Sequence, residues 1–227
     1  VDAVNSWKKN PDYEHYFYDD KQCDDFMKTY YPDIKPYYDI LPMGVMKADL
    51  WRYCVIYKYG GIYADVDTIL RDDINIFTDG KDNQQLILVP ENETHFCQWV
   101  FSAPPGSPFL KEIIDLTVER IKIKDIKAEQ IPWSMALWTN HHSIPLEHII
   151  HFVTGPAVFT DAIINHLKKN KNQTDNIYEK NYLFNYEDNN INEMHVFEHH
   201  KFHSEIVSHL SYGSMREDGW CNTKKNY

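Results

Sequence analysis

KADLWRYCVIYKYGGIYADVDT, residues Lys47 to Thr68, joins a helical pattern to a strand pattern across two glycines and ends in paired aspartates. Met46, Leu50, Tyr53, Cys54 and Tyr57 recur at the spacing of one helical face, and Gly60-Gly61 supplies a stop, so a helix closing at the glycines is predicted. IYADVDTIL beyond it alternates and predicts a strand. On an extended segment residues i and i+2 point the same way with Cα atoms about 6.6 Å apart, so Asp65 and Asp67 should project together from its end. Two carboxylates so placed repel each other unless a cation lies beside them, and hard oxygen ligands suit Mg²⁺ or Mn²⁺ rather than zinc. The alternative for the pair alone is that one caps the next element and the other is solvated. Asp49 and Arg52, at i and i+3, share a helix face and offer an acceptor and a bidentate donor to the strand end. Alternatively they form an intrahelical ion pair on a solvated surface.

Upstream, NPDYEHYFYDD predicts a turn at Asn10-Pro11 and a short strand in which Tyr16 and Tyr18 alternate with Phe17. DDFMKTYYP predicts a short helix stopped by Pro32. Downstream, QQLILVP reads as a buried strand, and SPFLKEIIDLTVERIK as an amphipathic helix with Ser107 as N-cap and Pro108 at its first position. VTGPAVFTDAIINHLKK gives a turn at Gly155-Pro156 and another helix, Lys168 to Asn192 a surface excursion, and EMHVFEHHKF a strand. Strands mixed with helices and no internal repeat predict an α/β class chain with a sheet covered on both faces, here one domain over residues 1–227.

Lys and Arg number 23 against 34 Asp and Glu, a net charge of -11 that repels nucleic acid and anionic membrane. The same field repels a phosphorylated substrate, so a site for one has to concentrate positive charge from a metal, an arginine or helix N-termini. Cys23, Cys54, Cys97 and Cys221 form no CxxC pair and read as reduced core thiols. No apolar run approaches the roughly 20 residues of a membrane helix, so no membrane contact is expected within these residues. Asn92-Glu-Thr94 and Asn172-Gln-Thr174 fit the glycosylation sequon. In HHKFH, His199 and His203 lie four apart, but strand-like alternation would place them along an extended line, which favours a structural role over zinc. Trp133, Trp138 and the His141-His142 pair that follows them read equally as core or as the wall of an acceptor cleft.

The Lys47–Thr68 stretch resembles the signature of the DXD-containing sugar transferases of glycosyltransferase family 32, K-S/A-D-x-x-R-Y-x-x-L-Y-x-x-G-G-I-Y-x-D-x-D, and the core of the clostridial glucosylating toxins is similar. SWKKNPDYEHYFYDD, APPGSPFLKEI, TGPAVFTDAI and HLSYGSM resemble further family segments in the same order. The resemblance implies a GT-A fold with a mixed central sheet flanked by helices, and transfer of a sugar from a UDP- or GDP-linked donor to a glycan, lipid or protein acceptor with retention of configuration. It implies that Asp67 and His209 ligate Mn²⁺ (or Mg²⁺), that Asp65, Tyr63, Asp49 and Arg52 contact the donor, and that Ser214 contacts its diphosphate. Met215, Gln98 and Ser107 depart from the family's usual Trp, Asn and His. The family's opening strand, with its H-x-I-W pattern, is not among these residues, and two compartments stay open as expectations, the cytoplasm, or the Golgi lumen if an upstream anchor was removed. Two rival readings are a sugar-nucleotide or glycan-binding module without turnover, and a haloacid-dehalogenase-like phosphatase. Thr68 directly after Asp67 and the glycine-ended helix argue against the phosphatase.

Overall fold

The computed structural model describes residues 2–78, 85–92, 94–123, 146–171, 190–191 and 194–210. In chain order these form α1 (Ala3–Trp7), α2 (Asp20–Tyr30), α3 (Lys35–Asp39), α4 (Gly44–Tyr59), β1 (Gly61–Ala64), β2 (Thr68–Leu70) and a 3₁₀ turn (Ile74–Phe77). There follow β3 (Leu86–Leu88), β4 (Val100–Ala103), α5 (Pro108–Ile121), α6 (Leu146–Val153), α7 (Pro156–Lys171), β5 (Asn190–Ile191) and β6 (Met194–Val196). A helical turn α8 (His199–Lys201), a π turn (Phe202–Ile206) and β7 (Val207–His209) complete the described residues. Trp133, Trp138, His141, His142, Asn172, Ser214, Met215 and Cys221 lie outside them.

The main sheet has the order β1-β4-β3-β6-β5. β3 and β6 run parallel and the other pairs antiparallel, so the sheet is mixed as expected. Because side chains alternate across a strand, the main sheet feeds two cores. Leu86, Leu88, Phe101, Ala103, Met194 and Val196 face the layer that contains α4, α5 and α7. Ile87, Val89 and Val100 face a smaller core with Trp7, Phe77, Phe202 and Val207. Among the described residues no helix is long and apolar enough to cross a membrane.

α4 is buried around most of its circumference: every residue from Asp49 to Ile56 is buried, with Leu50, Tyr53 and Cys54 fully so. Its predicted stop is observed at Gly60, where φ is +69° and ψ is −168°. A Cβ there would stand 2.6 Å from Pro105 Cδ and 2.8 Å from Pro105 N. Cys54 and Cys97 are buried free thiols and Cys23 is a half-buried one.

Three expectations change. IYADVDTIL is two strands rather than one: Thr68 N donates to Asp65 O at 3.1 Å, closing a turn that separates β1 from β2. Residues 13–18 form no strand, and Tyr16 and Phe17 are exposed; the order there begins at Asp19, which caps α2 in a reciprocal capping box with Gln22. Only Met194–Val196 of EMHVFEHHKF is strand, because Glu198 accepts from the backbone N–H groups of His200 and Lys201 and starts a helical turn. His199 and His203 therefore meet, with rings 4.5 Å apart, and both point at the Pro90 carbonyl. The position of Ser107 is right, but its side chain makes no capping bond and is buried.

Gly60→Ala should cost about 1–3 kcal/mol from backbone strain and the Pro105 clash. Gly44→Ala, at a position where a Cβ meets nothing within 4 Å, should be neutral or slightly stabilising in urea unfolding. His95 tests burial differently: it is 4% exposed, its Nε2 has no hydrogen-bond partner among the described residues, and burial, followed by nearby His151, pushes its pKa down to about 4. A histidine depressed on folding stabilises the native state above its unfolded pKa and loses that contribution as pH falls toward the folded one. Between about pH 6.5 and pH 4 the wild type should lose about 3 kcal/mol that His95→Gln does not lose; parallel stability profiles for the two proteins would refute this.

Candidate functional site

Asp49 and Arg52 sit on consecutive turns of α4 facing the end of β1, and the fold buries both, at 1% and 4% exposure. The solvated-surface alternative is thereby corrected. Arg52 Nη2 lies 3.0 Å from Asp49 Oδ1 and 3.5 Å from Asp65 Oδ1. Nη1 donates to the Gln98 carbonyl at 3.1 Å and Nε to the Ala48 carbonyl at 3.5 Å, so all three nitrogens are engaged. Asp49 also receives Thr154 Oγ1 on Oδ2 at 2.8 Å and Gln98 Nε2 on Oδ1 at 3.3 Å. The Tyr53 hydroxyl lies against Gln98 Oε1 and the Thr154 carbonyl. Burial raises the Asp49 pKa to about 6, with Arg52 opposing the rise.

Tyr63, two residues before Asp65 on the same side of the chain, donates its hydroxyl to Asp65 Oδ1 at 2.5 Å, and the Arg52 guanidinium lies 5.0 Å from its ring centre. Asp65 N bonds to the Trp99 carbonyl at 2.9 Å, so the first aspartate ends the β1–β4 ladder. Asp67 then lies in the turn. The paired aspartates thus converge through a β-turn and not, as expected, through the alternation of one strand.

His209 arrives from far along the chain by strand pairing. β7 runs antiparallel to β2 with His209 opposite Thr68, and Leu210 N bonds to the Asp67 carbonyl at 2.9 Å. β2 is in turn held by α1, where Trp7 Nε1 donates to Thr68 Oγ1 at 3.1 Å and Ser6 Oγ accepts from Leu70 N at 2.9 Å. His209 Nε2 lies 3.3 Å from Asp67 Oδ1. Burial disfavours a charge on His209, but the hydrogen bond and charge of Asp67, then Asp65 and Glu91, leave its pKa raised.

Asp65, Asp67 and His209 offer ligand atoms all within 4.8 Å of one another. With bonds of about 2.1 Å, ligands on one Mg²⁺ or Mn²⁺ stand about 3–4.3 Å apart, so a small side-chain adjustment fits this mixed oxygen and nitrogen set to one ion. Asp49 and Asp65 pair with the Arg52 guanidinium and Asp67 pairs with His209, so carboxyl groups outnumber the cations here. The cluster lies in a cleft of about 1510 Å³ that is also lined by residues 13–18, the edge of β1 and Gln98.

Residues 1–85 match the family model described as "Glycosyltransferase sugar-binding region containing DXD motif". Over those residues the chain is similar to the DXD-motif glycosyltransferases. It is 28% identical over 196 residues to the initiation-specific alpha-1,6-mannosyltransferase of Candida albicans, covering 71% of this chain and 46% of that protein. To the Schizosaccharomyces pombe protein of the same name it is 33% identical over 184 residues, covering 71% and 43%. Inositol phosphoceramide mannosyltransferase 3 of S. pombe is 43% identical over 58 residues, 26% of this chain and 16% of that protein. The matches thus span less than half the length of these relatives. Among solved structures, the PaToxG glycosyltransferase matches with a TM-score of 0.46 at 18% identity, covering 73% of this chain and 62% of that one.

The geometry brings together Asp49, Arg52, Tyr63, Asp65, Asp67 and His209 of the residues expected at the site; Ser214 lies outside the described residues. Sequence reading missed Thr154, Glu91 and Trp99, and gave Gln98 no part in holding Asp49. Thr154 stands in the quoted TGP segment, but nothing in the sequence pairs it with Asp49. Removing one partner of a buried ion pair leaves the other charge uncompensated. Asp49→Ala, which leaves Arg52 only the more distant Asp65, should therefore lower the unfolding free energy by about 3–5 kcal/mol. Thr154→Val should lower it by about 1–3 kcal/mol. An Asp49→Ala denaturation midpoint equal to wild type would dismiss the pair as a structural element.

Proposed function

We propose that this chain carries the donor site of a metal-dependent, retaining glycosyltransferase with a GT-A type domain, moving a sugar from a UDP- or GDP-linked donor to a hydroxyl of a glycan, lipid or protein. The observation that carries the reading is the convergence of Asp65, Asp67 and His209 in the cleft, amid more carboxyl groups than cations. Asp67 and His209 are the proposed ligands of Mn²⁺ or Mg²⁺, which when bound would supply the positive charge that a departing diphosphate requires. This reconciles an anionic donor with a chain of net charge -11.

Asp65 is assigned to the donor's ribose or sugar, its carboxylate oriented by Tyr63 and Arg52. Asp49, with both oxygens already engaged by protein donors, contributes by holding Arg52. Ser214 is assigned to the diphosphate on resemblance alone. In the proposed step the acceptor oxygen bonds to the anomeric carbon on the face from which the diphosphate leaves. The bond from that carbon to the diphosphate oxygen breaks with its electron pair, and the acceptor's proton passes to the leaving phosphate. No protein carboxylate serves as nucleophile. Mannose is the first sugar to try, since the relatives are named mannosyltransferases.

Hydrolysis or transfer from a panel of UDP- and GDP-sugars should require Mn²⁺ or Mg²⁺ and stop with EDTA. Asp67→Ala should abolish the metal-dependent rate with an unchanged melting temperature. Full activity in that variant would defeat the metal assignment, and a product of inverted anomeric configuration by proton magnetic resonance would exclude retention. Stabilisation by nucleotide plus Mn²⁺ without turnover would instead favour the binding-module reading.

A further inference from the structure

Asn92-Glu-Thr94 matches the acceptor pattern for an N-linked glycan and has no part in the donor site. Asn92 is exposed on the loop that joins β3 to β4. The base of this loop is clamped, since Cys97 N bonds to the Val89 carbonyl at 2.9 Å, Pro90 bridges to Phe96, and Glu91 N bonds to the His95 carbonyl at 2.8 Å. Phe96 N is held in turn by Thr160 Oγ1 at 2.9 Å. The tip above that base is bent by the asparagine itself. Asn92 Oδ1 accepts from Thr94 N, Thr94 Oγ1 and His95 N, each at 2.9 Å.

These bonds decide whether a sugar chain can sit there without disturbing the fold. Attachment joins the side-chain nitrogen to a sugar and leaves the carbonyl oxygen and one N–H in place. The side-chain bonds that shape the tip all end on Oδ1, and among the described residues none uses Nδ2. The atom to be modified is thus the one the fold leaves unused, while the atom the fold needs survives the modification. The Thr94 hydroxyl, the other half of the acceptor pattern, is held against the same carboxamide. Exposed loop tips are also where added bulk is best tolerated. Asn92 directly follows Glu91, a residue of the cleft wall, so a glycan on it stands at the rim of the cleft.

We propose that Asn92 is the attachment site of an N-linked glycan. In the step, Nδ2 bonds to the anomeric carbon of an oligosaccharide carried on a lipid diphosphate. The bond from that carbon to the diphosphate oxygen breaks with its electron pair, and one amide proton is lost to the transferring enzyme. Attachment requires neither metal nor turnover by this chain, so it stands apart from the donor-site reading. To test it, the chain with an Asn-Gly-Thr acceptor tag fused after Tyr227 is expressed into the secretory lumen of a eukaryotic host. Modification of the tag marks the molecules that reached the lumen, and Asn172→Asp removes the other sequon. In these molecules residue 92 should carry glycan, read by peptide mass spectrometry as deamidation that depends on peptide N-glycosidase. Thr94→Ser should keep the glycan, whereas Thr94→Val and Asn92→Asp should lose it. Asn92→Asp, which retains an oxygen at the Oδ1 position, should melt above Asn92→Ala, which gives up all three bonds. The glycosylated protein should melt no lower than the same protein after enzymatic removal. An unmodified residue 92 in molecules whose tag is modified overturns the proposal, as does a glycosylated form that melts below the treated one. Glycan on Asn92 in a protein that transfers no sugar supports the attachment site and counts only against the donor reading.

Discussion

The guanidinium of Arg52 is the interaction on which the rest of the site depends. A cation with 4% exposure is tolerable only if it is paired, and Arg52 is paired twice, with Asp49 on its own helix and Asp65 at the end of β1. The two bonds tie α4 to the strand that follows it. They also set the azimuth of the helix, because Asp49 must present one oxygen to Arg52 and the other to Thr154. The main chain carries the same constraint onward through the Gln98 carbonyl, which places the segment leading into Trp99 and β4. Most of α4 is apolar and buried, so this polar seam is what distinguishes one rotation of the helix from another.

A second constraint places the far end of the site. β2 and β7 form a two-stranded sheet apart from the main one, held from one side by Trp7 and Ser6 and from the other by the hydrogen bond of Arg71 N to the Ile206 carbonyl at 2.8 Å. Two short strands are a weak unit by themselves. Packing of Leu70 and Val207 into the smaller core with Phe77, Phe197 and Phe202 anchors them. The cation-binding cluster is therefore assembled where the two sheets meet at the Asp65–Thr68 turn: the main sheet ends at Asp65, the turn carries Asp67, and the small sheet delivers His209.

Much of the local structure was legible because it rests on short-range rules. The helical spacing from Met46 to Tyr57, the stop at Gly60 and the start of α5 at Pro108 are all observed at the predicted residues. The failures share a cause. The alternation in IYADVDTIL and in EMHVFEHHKF predicts continuous strand, yet hydrogen bonds from Thr68 N to Asp65 O and from His200 N to Glu198 turn the chain at sites where Asp and Glu side chains or carbonyls have local donors within reach. Alternating aromatics at Tyr16, Phe17 and Tyr18 likewise made no strand, for among the described residues nothing pairs with their backbone as a ladder.

By its order of residues alone, the chain settled which carboxylates and which arginine stand near the end of β1, and resemblance supplied His209 as a companion to Asp67. What tertiary structure decided was the environment of each: that Asp49 and Arg52 are buried rather than solvated, that Thr154 and Gln98 complete their bonding, and that Trp99 lies flat against His209. Periodicity records which side of an element a residue occupies, and it carries no information on what another element, a hundred residues away, brings to that side. Burial and hydrogen-bond partnership are properties of the packed chain, and for charged groups they determine the energies involved.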